Sequence, residues 1–514
     1  MALEGYKWLK LSEALAEMPE ISAYGEWEKL SPHNRGLWCA WHYGASFIQD
    51  IEDAIVISHA PLQCQSSRNK FFASLGGDRA PFSLAHTPCT NVGNQEVILG
   101  GEEKLEEAIL QVDKDYKPGL IGVVAGCATS MNMDDIPGIV ERLRPQVNAK
   151  LYWVRLPGFA STWSSEMGDN FLPKMVRELM EKPDKIIKDA VNIVGSRFHD
   201  FAQDSPDMPM ARRRFPKKWG SNQQTLARTI EALGLKLHRV IIGGNYDYFK
   251  TAPQAAVNTM TCSDWGWPIA ETMEEEFGTP WLPEGRAIGV EASSSWIMDL
   301  AKFMKIEDKG QKLIKEEYSK IKDVWEKAKK MASGKIALVE GSRSSGYQAL
   351  RPLAVARFAQ DLGMKPYMFN IHPANMKTKE RVCRHFISKG CDPPFLLGPY
   401  PYQKTLRDEL ILEDIGASPE DCVYFTHDLF VNASAPEFDA STCATFPIGG
   451  RPHRRVVGIA RDDGFEAAGV MAQEVIEAIK ATRGSKTCLR PTLYSRVMGK
   501  KQFDFQINAG CFRS

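Results

Sequence analysis

Short, nearly unbroken apolar runs alternate along the chain with longer stretches in which apolar residues recur at helical spacing. The first runs are DAIVISHA at 53–60, GLIGVVAGC at 119–127, KLYWVRLPG at 150–158 and DAVNIVG at 189–195. A second set opens with HRVIIGG at 238–244. A third comprises GKIALVEGS at 334–342, KPYMFNI at 365–371, DCVYFTH at 421–427 and RVVGIARD at 455–462. Between them lie amphipathic segments such as GEEKLEEAILQVDKDY and IKEEYSKIKDVWEKAKKMA. Strands uniformly apolar and alternating with helices predict mainly parallel sheets covered on both faces.

A chain of 514 residues exceeds what one hydrophobic core holds, which levels off near roughly 250–300 residues. The runs divide it into α/β domains at 36–235, 236–333 and 334–480, with an extension at 1–35 and a tail at 481–514. The polar, proline-broken segment 200–222 reads as a surface insertion, and the charged helix 306–332 as a domain connector.

Charge narrows the function classes. Lys+Arg and Asp+Glu are equal at 64 each, so no basic excess favours nucleic acid or an anionic membrane surface. No window holds the roughly 18 apolar residues of a membrane span. The start, MALEGYKWLKLSEALAEMPE, lacks signal-peptide character, and a cytoplasmic location is expected. Eleven cysteines, an odd number in a long chain, argue against a disulfide framework. Most are expected to be buried apolar thiols.

Three of them stand apart. Cys64 follows the strand 53–60, Cys127 ends the strand 119–127, and Cys89 precedes Gly100, Gly101 and a helix start. In open parallel sheets ligands sit at the carboxyl ends of strands. Thiolates there suit nucleophilic catalysis, zinc or an iron–sulfur cluster. A close Cys-x-x-Cys pair, the usual zinc signature, is missing among them. A cubane cluster takes four thiolates, so three would need completion, for instance by another subunit.

The stretches ISHAPLQC, TPCTNVGNQEVILGG and VVAGCATSMNMDDIPGIVERL resemble the three cluster-binding stretches of nitrogenase component 1 subunits and their relatives. In that family a His-Gly-Pro-x-x-Cys turn, a Cys shortly before a Phe-Gly-Gly and a Cys followed by Asp-Asp each give one thiolate. His59, Pro61 and Cys64 match the first, with Ala60 in place of Gly; Cys89 with Gly100 and Gly101 the second; Cys127 with Asp134 and Asp135 the third. GLWCAWHYGA around Cys39 resembles the stretch before the first ligand, and the likeness runs from about residue 36 to 470. It implies three Rossmann-like domains, each with a mainly parallel sheet, and a P-cluster-type relay shared with a β-type sister subunit in an α2β2 assembly.

NTMTCSDWGWPIAETMEEEFGTPW, at 258–281, resembles the α-type subunit, whose single Cys here caps a large catalytic iron–sulfur cluster; Cys262, Gly278, Pro280 and Trp281 match. Arg343 in VEGSRSSG matches an Arg that hydrogen-bonds cluster sulfides. The same loop lacks a Walker Lys, so no nucleotide site is expected on this chain. Two departures follow. VRLPGFASTWSSEMGDN has no His where dinitrogen-reducing enzymes carry one, and the position of their heterometal-ligating His falls near Ala444. Cys443 and His453 are the nearest substitutes, with His372 and His427 as further candidates, and Trp163, Trp265 and Trp267 as pocket aromatics.

Among nitrogenase-like systems these departures resemble methylthio-alkane reductase most. That implies reductive C–S cleavage of a small sulfur-containing substrate at a catalytic cluster expected to be iron-only. Electrons would come from an ATP-dependent 4Fe-4S reductase protein. A dinitrogen-reducing subunit, a cofactor-assembly scaffold and an unrelated zinc or thiol enzyme remain alternatives.

Overall fold

The computed structural model describes residues 5–18, 40–65, 88–158, 171–195, 222–261, 263–340, 350–369, 371, 380–398, 408–418, 421–426, 456–458 and 463–480. Among the described residues, strands β1 to β12 form three sheets flanked by helices. β1 (Lys7–Lys10) is followed in the chain by the first sheet, β2 (Ala54–His59), β3 (Leu120–Ala125) and β4 (Lys150–Arg155). The second sheet holds β5 (Ile187–Val194), β6 (Lys236–Ile241) and β7 (Ala255–Met260). The third holds β8 (Ile336–Glu340), β9 (Lys365–Phe369), β10 (Pro394–Leu397), β11 (Cys422–Thr426) and β12 (Val456–Gly458), with β1 at its edge.

The first sheet is parallel in the order β2-β3-β4, in unbroken register, so that His59, Ala125 and Arg155 end the three strands side by side. Every side chain of β3 is buried because the sheet is covered twice. Ile57, Val123 and Ile121 face a core with the helices Glu102–Tyr116 and Ile136–Leu143; Val56, Val124 and Tyr152 face another with Trp41 and Phe47. The predicted helix 101–116 and the charged helix 306–332 form as Glu102–Tyr116 and Glu307–Ala332.

Hydrogen bonding regroups one strand. The run at 189–195, read with the first set, becomes β5, the centre of the second sheet between β6 and β7. Its partner β7 escaped the hydrophobic pattern because Asn258 and Thr259 interrupt it. Both are buried, and Asn258 accepts from Asn192 Nδ2 at 2.8 Å. The third sheet, in the order β1-β10-β9-β8-β11-β12, is parallel except for β1, which runs antiparallel along β10. KWLK is too short and too charged to read as a strand; its lysines suit a sheet edge. The buried pair Arg286–Asp463, 3.2 Å apart, ties the loop before the helix Val290–Phe303 to the start of the helix Gly464–Lys480. No helix among the described residues is long and apolar enough to cross a membrane.

Candidate metal-cluster site

The carboxyl ends of the first sheet carry the three cysteines singled out in the sequence. Beyond His59, the chain enters a turn closed by the Cys64 N–H donating to the Pro61 carbonyl at 3.0 Å. Beyond Ala125, the Gly126 N–H returns to the His59 carbonyl at 3.0 Å, and Cys127 opens the short helix Cys127–Met131. Gly126 is required by closeness: a Cβ there would lie 3.0 Å from that of Ala60. Cys89 arrives differently. Residues 88–92 run parallel beside β2, with the Ser58 N–H donating to Pro88, Thr90 to Ser58 and Val92 to Ala60. This extended pairing has no hydrophobic signature, and sequence periodicity misses it.

All three cysteines are free and half-buried. Burial raises the Cys64 thiol above its usual range, and the neighbouring thiols of Cys127 and Cys89 add to that shift. The other two thiols therefore lie close enough to Cys64 to resist its ionisation. Thiolate is the metal-ligating form, so a positively charged core is what lets all three ionise together. Their donor type, partial exposure and mutual closeness fit an iron–sulfur cluster. Cys89 Sγ also receives the Asn91 N–H at 3.4 Å.

The segments that carry the thiols expose several large apolar side chains, with the polar Gln63, Asn91, Asn94 and Gln95 exposed among them. Leu62 is 50% exposed, Ile98 80%, Leu99 74%, and Met131 and Met133 70% each. Asn132, between the two methionines, donates through Nδ2 to the Glu96 carbonyl at 2.9 Å, joining their segment to the helix Asn94–Leu99. Gly100 caps that helix with φ of 96°, a backbone that favours glycine.

Beneath the thiols lies His59, fully buried. Its Nε2 stands 2.9 Å from Asp134 Oδ2 and its Nδ1 3.0 Å from Thr90 Oγ1. Burial lowers its pKa against the opposing pull of Asp134.

Cys262 follows Thr261, whose N–H donates to the Val194 carbonyl at 3.0 Å at the carboxyl end of the second sheet. Cys262, Arg343, Cys443 and His453 lie outside the described residues, as do His372, His427 and Trp163. Trp267 is partly buried against the main core, with its indole N–H unpartnered. Trp281 is held by Glu274, which accepts its indole N–H at 3.1 Å, and by Arg381 stacked over its ring. One group that sequence reading passed over, Glu284, Asp299 and His385, converges closely enough for a cation. Its charge is already met, with Arg357 on both Glu284 oxygens and Lys389 on Asp299.

Comparison with known proteins places this geometry. The chain is 25% identical over 250 residues to the nitrogenase iron-molybdenum cofactor biosynthesis protein NifE of Nostoc sp., covering 48% of this chain and 47% of that protein. It is 25% identical over 346 residues to the nitrogenase molybdenum-iron protein alpha chain of Methanosarcina barkeri, covering 65% and 59%. The chain thus spans about half to under two thirds of the length of these curated relatives. Its fold matches the solved structure of nitrogenase Cp1 at pH 5 with a TM-score of 0.61 at 16% identity, over 90% of this chain and 92% of that one. The model of the family described as nitrogenase component 1 type oxidoreductase matches residues 39–392, which include all three clustered cysteines. With that match over most of its length, the chain belongs to the nitrogenase component 1 type oxidoreductase family.

Proposed function

We propose that this chain is the α-type subunit of a nitrogenase-like reductase, and that Cys64, Cys89 and Cys127 form half of a thiolate shell completed by a β-type sister subunit in an α2β2 assembly. One observation carries the reading: three free, half-buried thiols gather at the carboxyl end of one sheet, in segments that also expose large apolar side chains. Three ligands beside exposed apolar side chains are an unfinished site, and a sister chain finishes both at once. When bound, an iron–sulfur cluster supplies one-electron storage there. The chain's own groups hold it: the thiolates bind, the Asn91 N–H offsets charge on the Cys89 sulfur, and Leu62, Ile98, Leu99 and the methionines exclude water.

On this reading Cys262, with Arg343 and either Cys443 or His453, would hold the second, catalytic cluster, and a partner ATP-dependent 4Fe-4S reductase protein would supply electrons. The substrate we infer is a small methylthio-alkane, cleaved at its C–S bond to methanethiol and a hydrocarbon. The support is chemical. VRLPGFASTWSSEMGDN lacks histidine and the heterometal position falls near Ala444, so an iron-only cluster is expected, and thioether sulfur is a soft ligand for such a metal. The likeness to cofactor biosynthesis proteins favours a second reading, a scaffold that builds and passes on a cluster.

Anaerobic co-purification with the sister subunit, followed by addition of the reductase protein, MgATP and a methylthio-alkane, separates the two. Methanethiol release is expected, with iron and sulfide but no molybdenum or vanadium in the protein. Absence of methanethiol, together with transfer of a cluster to a cluster-free acceptor, would establish the scaffold instead. Molybdenum or vanadium bound in stoichiometric amount would contradict the iron-only assignment.

A further inference from the structure

We propose that the buried His59–Asp134 pair is a positioning device that sets the three cysteine loops at cluster spacing before metal arrives and fixes a charge beneath them. The inference rests on the ligand reading of Cys64, Cys89 and Cys127.

The geometry is a knot at one imidazole. His59 is the last residue of β2, and the turn that carries Cys64 begins directly after it. Its Nδ1 pairs with Oγ1 of Thr90, the residue after Cys89. Its carbonyl accepts from the N–H of Gly126, the residue before Cys127, and from Oγ1 of Thr129 at 2.7 Å. One residue therefore reaches all three ligand loops without an intervening strand. Its Nε2 is anchored by Asp134, whose Oδ2 also receives the Gly101 N–H at 3.2 Å and whose carbonyl accepts from Arg155 at 2.5 Å. Gly101, Asp134 and Arg155 belong to three further segments, so the knot cannot move without moving the floor of the site.

Two details argue that this pair is more than filler. Asp134 is 1% exposed, yet its Oδ1 has no hydrogen-bond partner among the described residues. A buried, half-satisfied carboxylate is costly, and a hydrogen bond from an imidazole that burial keeps from protonating offsets only part of that cost. Second, Gly101 is shaped to the pair. A Cβ there would lie 2.9 Å from His59 Cε1 and 3.0 Å from Asp134 Oδ2, with an ordinary negative φ. The requirement is space for the pair. Outer partners that orient ligand-bearing segments typically govern metal affinity by roughly 10–100-fold. A fixed carboxylate also resists arrival of an electron nearby, which lowers a cluster's reduction potential.

The test uses the full chain co-expressed with its sister subunit, reconstituted anaerobically with ferrous iron and sulfide. Three variants are compared with the unmodified complex: Gly101→Ala, His59→Gln and Asp134→Asn. Gly101→Ala and His59→Gln should weaken iron loading roughly tenfold at unchanged circular dichroism. Asp134→Asn, which keeps the shape and drops the charge, should retain iron but show an altered electron paramagnetic resonance signal and a higher midpoint potential. Wild-type affinity in the first two together with an unshifted potential in the third would overturn the proposal. Should Gly101→Ala and His59→Gln fail to fold, the potential of the near-isosteric Asp134→Asn decides alone. Failure of the unmodified complex to take up iron would instead overturn the ligand reading beneath it.

Discussion

Cys64→Ala strips iron from the subunit interface and loosens the assembly: that is the largest effect expected of any single substitution here. Cys64 sits on a turn whose backbone bond to Pro61 does not involve the sulfur, so alanine leaves the turn intact. The thiol is only half-buried, and losing it costs the fold on the order of 1 kcal/mol in buried area. What disappears is one of three thiolates. Removing an outer partner of a metal site costs roughly 10–100-fold in affinity, and removing a ligand itself should exceed that. Two thiols no longer define the proposed half shell, and what would remain for a sister chain to contact is exposed apolar surface such as Leu62, Ile98 and Leu99. Iron per complex and sedimentation of the anaerobic protein should both fall, with the thermal stability of the isolated chain only slightly lowered. Iron content equal to wild type would remove Cys64 from the ligand set.

Cys262→Ala is expected to do the opposite: leave the interfacial iron in place and abolish turnover. Thr261, just before it in the chain, is buried and bonded to Val194 at the carboxyl end of β5, the end of a parallel sheet where α/β folds place ligands. Cys64, Cys89 and Cys127 belong to the first sheet and Thr261 to the end of the second, so the substitution is expected to leave the three thiols undisturbed. Product formation should drop to background while the interfacial electron paramagnetic resonance signal persists. Retained turnover would remove Cys262 from the catalytic cluster.

The sequence revealed the parts of the fold that rest on continuous burial. Leu120–Ala125 is apolar throughout because both faces of its sheet are covered, and the run declares itself. Ala255–Met260 did not, because a buried Asn192–Asn258 hydrogen bond replaces apolar packing at its middle. Lys7–Lys10 did not, because an edge strand needs charge more than pattern. The same division holds at the candidate site. Cys64 and Cys127 were placed by the strands before them, whereas the strand-like pairing of Cys89 with Ser58 depends on three backbone hydrogen bonds that no periodicity encodes. His59, Asp134 and Gly101 were visible as members of a resemblance. That they meet each other is a fact of register between β2, β3 and the loops beyond, and only three dimensions display it.

The central claim is that this chain supplies half a ligand shell. An anomalous-scattering map at the iron edge, from anaerobic crystals of the chain with its sister subunit, tests it most directly. The account predicts an iron peak bonded to the sulfurs of Cys64, Cys89 and Cys127 and shared with cysteines across the interface. Iron bound by this chain alone, or those three sulfurs without iron and turned from the sister subunit, would contradict it.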